Sequence, residues 1–140
     1  MTNAQDRLQA AMKYAMANRP KVGGFPFLAE CLRQAGVEKN SWALPGGQSI
    51  YVMKDGVVVN QGTPLVSGMI EVPAFDSEAL IMAIRTDQVG QSTFPEFLAA
   101  AFGAGVVGYD VDFSTRTVTY YGACGEEYAE AYEAVEVGKI

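Results

Sequence analysis

The chain has 140 residues, 49% of them apolar and 19% charged, with ten Lys and Arg against sixteen Asp and Glu for a net charge of −6. A chain of this length buries roughly 70% of the surface its unfolded form exposes, enough for one ordered core without metals or disulfides. The acidic balance opposes attraction to nucleic acid or anionic membrane, and the lack of histidine removes the usual base for a Ser or Cys nucleophile and the commonest metal ligand.

The opening residues carry Asp6 and no apolar run, and no stretch approaches the roughly 18 apolar residues of a membrane span. Cys31 and Cys124 fit neither a disulfide framework nor a paired metal motif. The expectation is one domain over residues 1–140 in the cytoplasm, with no membrane or nucleic-acid partner, no metal and no cofactor.

Leu8, Ala11, Met12, Ala15 and Met16 fall at helical spacing, so a first helix is predicted over about 4–18, capped by Thr2 or Asn3 and stopped before Pro20. Gly23 and Gly24 break the chain. A second helix then runs from about Pro26 to Ala35 and ends at Gly36. Strands follow near 37–44, 49–54 and 57–60. Asp55-Gly56 reads as a type I′ hairpin turn, which pairs Val52 with Val59 and Met53 with Val58. Both faces of that hairpin are partly apolar and call for a cover. Val66, Gly68, Ile70 and Val72 alternate like a further strand.

Asp76 or Ser77 caps a third helix to about Asp87, with Leu80, Ile81 and Ile84 inward. Thr93-Phe94-Pro95-Glu96 has capping-box spacing and opens a fourth helix that ends near Gly103 to Gly105. Tyr109, Val111 and Phe113 alternate against Asp110 and Asp112. With a turn at Ser114-Thr115, Val111 faces Val118 and Tyr109 faces Tyr120. The segment 126–135 fits either period and is read as a strand.

Phe25-Pro26 through Ala35-Gly36-Val37 recurs without a gap as Phe94-Pro95 through Ala104-Gly105-Val106. The predicted fold is α+β, about four helices on a largely antiparallel sheet. It can be read as two related ααβββ halves with an extra strand in the first, or as unrelated helices that share Pro at the start and Gly at the end.

Several motifs have plain structural readings. Gly103-Ala104-Gly105-Val106-Val107-Gly108 spells G-x-G-x-x-G, but a helix precedes it and a strand follows, the reverse of a dinucleotide site. Asp110 and Asp112 read as solvated alternation, the 126–136 glutamates as an acidic edge, Cys124 as a turn residue and Cys31 as a buried one. The 87–93 loop has more polar side chains than capping uses. Asp87, Gln91 and Ser92 are therefore candidate ligand-binding residues beside a helix N-terminus, for a ligand with a carboxylate, phosphate or carbonyl. Trp42, the sole tryptophan, is a core residue or the wall of a pocket.

Pro20-Lys21-Val22-Gly23-Gly24-Phe25-Pro26, Arg85-Thr86-Asp87, Ser92-Thr93-Phe94-Pro95-Glu96-Phe97, Tyr109 through Phe113 and Arg116 through Gly122 together resemble a bacterial family of unknown function. Its members are sometimes labelled phage envelope proteins and have prophage-associated relatives. The resemblance implies an α+β protein and transfers no catalytic residue or cofactor. Two functions follow as expectations: a small binding or interaction protein, with a homodimer covering its apolar surface, or a histidine-free enzyme using Asp87, Asp110 or Asp112.

Overall fold

The computed structural model describes residues 3–138. Helix α1 (Ala4–Asn18) is capped by Asn3, whose Oδ1 accepts from the Asp6 N–H at 2.8 Å. Thr2, the other candidate cap, lies outside the described residues. Leu8, Ala11 and Ala15 are buried, but Met16 of the predicted stripe is 62% exposed, because it lies in the last turn of the helix and borders an open cleft rather than the closed core. Helix α2 (Gly24–Gln34) follows a left-handed Gly23.

The strands are β1 (Val37–Ala43), β2 (Gln48–Met53) and β3 (Gly56–Gln61). Helices α3 (Ser77–Gln88) and α4 (Phe94–Gly103) come next, and β4 (Val106–Asp112), β5 (Thr117–Gly122) and β6 (Glu127–Ala131) complete the fold. Asp76 caps α3, and Thr93 with Glu96 forms the capping box of α4. The order is thus ααβββ twice over, and the last segment is a strand.

All six strands form one antiparallel sheet in the order β3-β2-β1-β4-β5-β6. The two halves meet at β1 and β4, where Ser41 faces Asp110. Those two residues have the same sequence separation as Phe25-Pro26 and Phe94-Pro95. An approximate two-fold axis therefore runs through the sheet centre. The β4–β5 ladder has the expected register, Val111 to Val118 and Tyr109 to Tyr120.

Two expectations are corrected. In the β2–β3 hairpin the loop is Lys54-Asp55, so Val52 pairs with Val57 and Met53 with Gly56. Neither Asp55 nor Gly56 has a positive φ. An ion pair between Arg7 of α1 and Asp55 at 2.6 Å holds the turn, and Gly56 joins the ladder. Val52 now faces Val57 instead of Val59; a partner shift of two leaves every side chain on its expected face. The second correction is the segment 62–76, which contains no strand. It must travel from β3 at one edge to the start of α3, and it meets no edge along the way. Met69 and Ile70 are exposed, while Leu65 packs against the core.

One face of the sheet carries Tyr51, Met53, Tyr109, Val111, Phe113, Val118 and Tyr120 and packs against the helices. The other face is left open. Its β2–β3 portion exposes Ile50, Val57 and Val59, so the apolar hairpin lacks the cover expected for it. The tail returns across α1 and α2, where Val137 is buried beside Ala15 and Cys31 and its carbonyl accepts from Tyr14 Oη at 3.0 Å.

Candidate ligand-binding site

Helix α1 packs chiefly on α2, and α3 on α4. Between these pairs, over the central strands, lies a cleft of about 900 Å³. Its floor comes from β1, β2, β4 and β5 through Trp42, Tyr51, Tyr109 and Tyr120; Met12, Phe25, Ile84 and Phe97 supply helical walls. A space of about 610 Å³ joins it at one end, between the α1–α2 connection and the 87–93 loop. Arg19, Gly23, Phe25, Pro26, Asp87 and Gln88 border both. These volumes lie in the range of small-molecule sites.

Aromatic rings line the floor because alternate residues of adjacent strands point the same way. Trp42 meets Phe94 edge-on at a centroid distance of 5.0 Å and stacks on Tyr109 at 6.2 Å. Tyr109 lies 5.4 Å from Tyr120. The indole N–H of Trp42 donates to Asn40 Oδ1 at 2.9 Å, and Asn40 Nδ2 donates to the Ile50 carbonyl at 3.1 Å, so this buried amide fixes the tryptophan.

The hydroxyls of Tyr109 and Tyr120 have no hydrogen-bond partner among the described residues. No fully buried side-chain polar atom there lacks a partner, so both hydroxyls reach the cleft. Burial pushes both phenols well above their usual range, which keeps them neutral and able to donate or accept. Burial pushes Tyr132, at the tail side of the cleft, up to about 12.

Asp87 lines both spaces. Burial raises its carboxyl, offset in part by the Ser92 hydroxyl, which donates to Oδ1 at 3.3 Å, and by the charge of Arg19. Glu130 is held differently. Arg85 donates to its two oxygens at 2.9 and 2.7 Å and Tyr128 Oη donates to Oε2, which together lower its carboxyl. Ser92 and Gln91 line the smaller space, and Trp42 lines the cleft, so the structure sets all four sequence candidates around one continuous opening. Sequence reasoning missed Tyr109, Tyr120 and Arg19; the alternation of the tyrosines marked them only as core.

The other carboxylates lie elsewhere. Asp110 is on the open face, accepting from Tyr121 Oη at 3.2 Å and facing Lys39 at 3.4 Å. Asp112 caps the Ser114-Thr115 turn, accepting from both backbone N–H groups and from Ser114 Oγ; these bonds lower its carboxyl. They do not converge with Asp87. The glycine run serves the backbone: Gly105 at φ +90° abuts Phe75, and a Cβ on Gly108 would lie 2.8 Å from the Trp42 carbonyl. Cys31 is buried and its thiol pushed up by burial, while Cys124 is exposed. Among the described residues, no helix is long and apolar enough to cross a membrane.

The chain matches the family described as "Protein of unknown function (DUF1398)" over residues 13–130. It is 55% identical over 129 residues to the uncharacterized protein Mb2035 of Mycobacterium bovis, covering 92% of this chain and 79% of the relative. Rv2012 of Mycobacterium tuberculosis, also uncharacterized, matches with the same identity and coverage. The α+β fold and these matches together identify the chain as a member of the DUF1398 family, whose function is unknown.

Proposed function

We propose that this protein is a small-molecule binding domain whose site is the cleft between its two helix pairs, entered beside the 87–93 loop. The observation that carries this reading is the pair of neutral tyrosine hydroxyls, Tyr109 and Tyr120, unpartnered among the described residues within an aromatic cleft of about 900 Å³. An apolar pocket with a few convergent polar groups is the usual form of a ligand site. Asp87, Ser92 and Gln91 act at its mouth and Trp42 on its floor. The second reading is a histidine-free enzyme using Asp87, Asp110 or Asp112; of the three only Asp87 lines the cleft, so such chemistry would run through Asp87 alone. Cys31 and Cys124 are both free thiols, which supports a reducing, cytoplasmic setting. The phage association rests on the sequence resemblance alone.

Trp42 is the only tryptophan and so reports on the cleft without labelling. Titration with neutral 1-pyrenemethanol should quench Trp42 by energy transfer, saturably and with one site. Replacing Phe94, 42% exposed at the cleft and in contact with Trp42, by Ala should weaken binding about tenfold without unfolding the chain. Absence of saturable transfer, or calorimetric affinity unchanged in Phe94→Ala, would remove the cleft as the site.

A further inference from the structure

The carboxylates and cations around the cleft are committed to different degrees. Glu130 is engaged by Arg85 and Tyr128. Glu133 is exposed to water. The carboxylate of half-buried Asp87 receives one hydrogen bond, from Ser92 to Oδ1; its Oδ2 has no partner among the described residues, and it belongs to no ion pair. Arg19 acts on it only through its charge. A partly desolvated carboxylate with one accessible oxygen uncommitted favours a cationic hydrogen-bond donor.

The aromatic lining favours the same sign. The faces of aromatic rings attract cations, and Trp42, Tyr109, Tyr120 and Phe97 line the adjoining space. Asp87, Tyr109 and Tyr120 all line this cleft. Arg19 borders both spaces and Lys21 the smaller one, so the mouth also carries positive charge, but neither forms an ion pair with Asp87. At the start of α4, Thr93 Oγ1 accepts from the Glu96 N–H at 3.3 Å and the Glu96 carboxylate accepts from the Thr93 N–H at 2.8 Å. The helix start thus carries its own negative charge in place of an open anion site, and the net charge of −6 adds no attraction.

Resting on the cleft-binding reading, we propose that the ligand is an amine: a flat, apolar body lying over Trp42 and Tyr109, with an ammonium group docked on Asp87 Oδ2. The tyrosine hydroxyls accept from the ammonium or bond to a second polar group on the body.

A series with one ring system and three charges tests this. At pH 7, 1-pyrenemethylamine is cationic, 1-pyrenemethanol neutral and 1-pyrenecarboxylate anionic. Calorimetric titration of the full chain should be made at about 0.15 M salt, where non-specific attraction is screened. The amine should bind at least about tenfold more tightly than the alcohol, and the carboxylate more weakly than either. Asp87→Asn should bring the amine to the affinity of the alcohol and leave the alcohol unchanged. Equal affinity across the series, or an amine indifferent to Asp87→Asn, would overturn the charge assignment while leaving the cleft as a site. Failure of all three compounds to bind would overturn the cleft reading and this inference together.

Discussion

Lys21 and Gly90 occupy corresponding places in the two halves and touch: a Cβ on Gly90 would lie 2.9 Å from Lys21 Cγ and 3.0 Å from the Lys21 carbonyl oxygen. The separation that carries Phe25-Pro26 onto Phe94-Pro95 also carries Lys21 onto Gly90. The two interhelical connections therefore meet near the approximate two-fold axis, beside the cleft mouth. Gly90 also needs its φ of +75°. Gly90→Ala should cost about 2 kcal/mol, while Gly23→Ala, at φ +74° with nothing within 4 Å, should cost about 1 kcal/mol. Urea midpoints at matched slopes decide this; equal losses would mean that the contact imposes no constraint.

The G-x-G-x-x-G run contains its own control. Gly105 has φ +90°, and a Cβ there would approach Phe75 Cα to 2.6 Å, against backbone that cannot move aside cheaply. Gly103 ends α4 with nothing within 4 Å of its Cβ position. Gly105→Ala should lose about 3 kcal/mol or more, and Gly103→Ala should gain about 0.5 kcal/mol. Thermal or urea unfolding of both variants measures the contrast, and a loss of similar size at Gly103 would refute it.

Asp87 links binding to stability. Its carboxyl pKa is raised in the fold, so its favourable contribution is complete below the unfolded value of about 4 and is lost as pH rises through the folded value. At pH 7 the ionised group is therefore a net cost. Asp87→Asn should raise stability at pH 7 by a few tenths to about 1 kcal/mol, allowing for solvent screening, and the gain should shrink as the pH falls toward 4. Chemical denaturation across that range provides the curve. A less stable Asp87→Asn variant at pH 7 would assign the carboxylate a structural role.

The homodimer expected from the sequence can be tested at the uncovered β2–β3 face. Val57 and Val59 are 59% and 64% exposed and share the face with Ile50, beside the free edge of β3. Apolar surface next to an unpaired edge is unusual unless something covers it. The chain should sediment as a dimer at micromolar concentration. The double substitution Val57→Lys with Val59→Lys should sediment as a monomer with unchanged circular dichroism. A wild-type monomer at that concentration would end the dimer proposal.

Local chemistry made much of the fold legible. Thr93 and Glu96 sit at the spacing at which each satisfies the other's backbone donor, so α4 starts where the residues require. The β4–β5 register followed from alternation, since one slip would turn Tyr109, Val111, Val118 and Tyr120 out to water. The β2–β3 turn did not follow from Asp55-Gly56: Lys54-Asp55 forms the loop, with Arg7 of a distant helix paired to Asp55, and Gly56 enters the ladder. Residues 66–72 alternate as a strand does, but alternation supplies a face and cannot supply a partner edge.

By itself the sequence determined the four helices, six of the strand segments and the capping box of α4, because propensity, capping and hydrophobic period act over a few residues. Only the tertiary structure decided that the halves join through β1 and β4, with each helix pair packed separately above its own strands. That arrangement opens the cleft and brings Trp42, Asp87, Tyr109 and Tyr120 to one space from four elements. The same tyrosines that read as core by alternation line the floor of the cleft, because their rings are buried by neighbours while their hydroxyls reach the gap between the helix pairs.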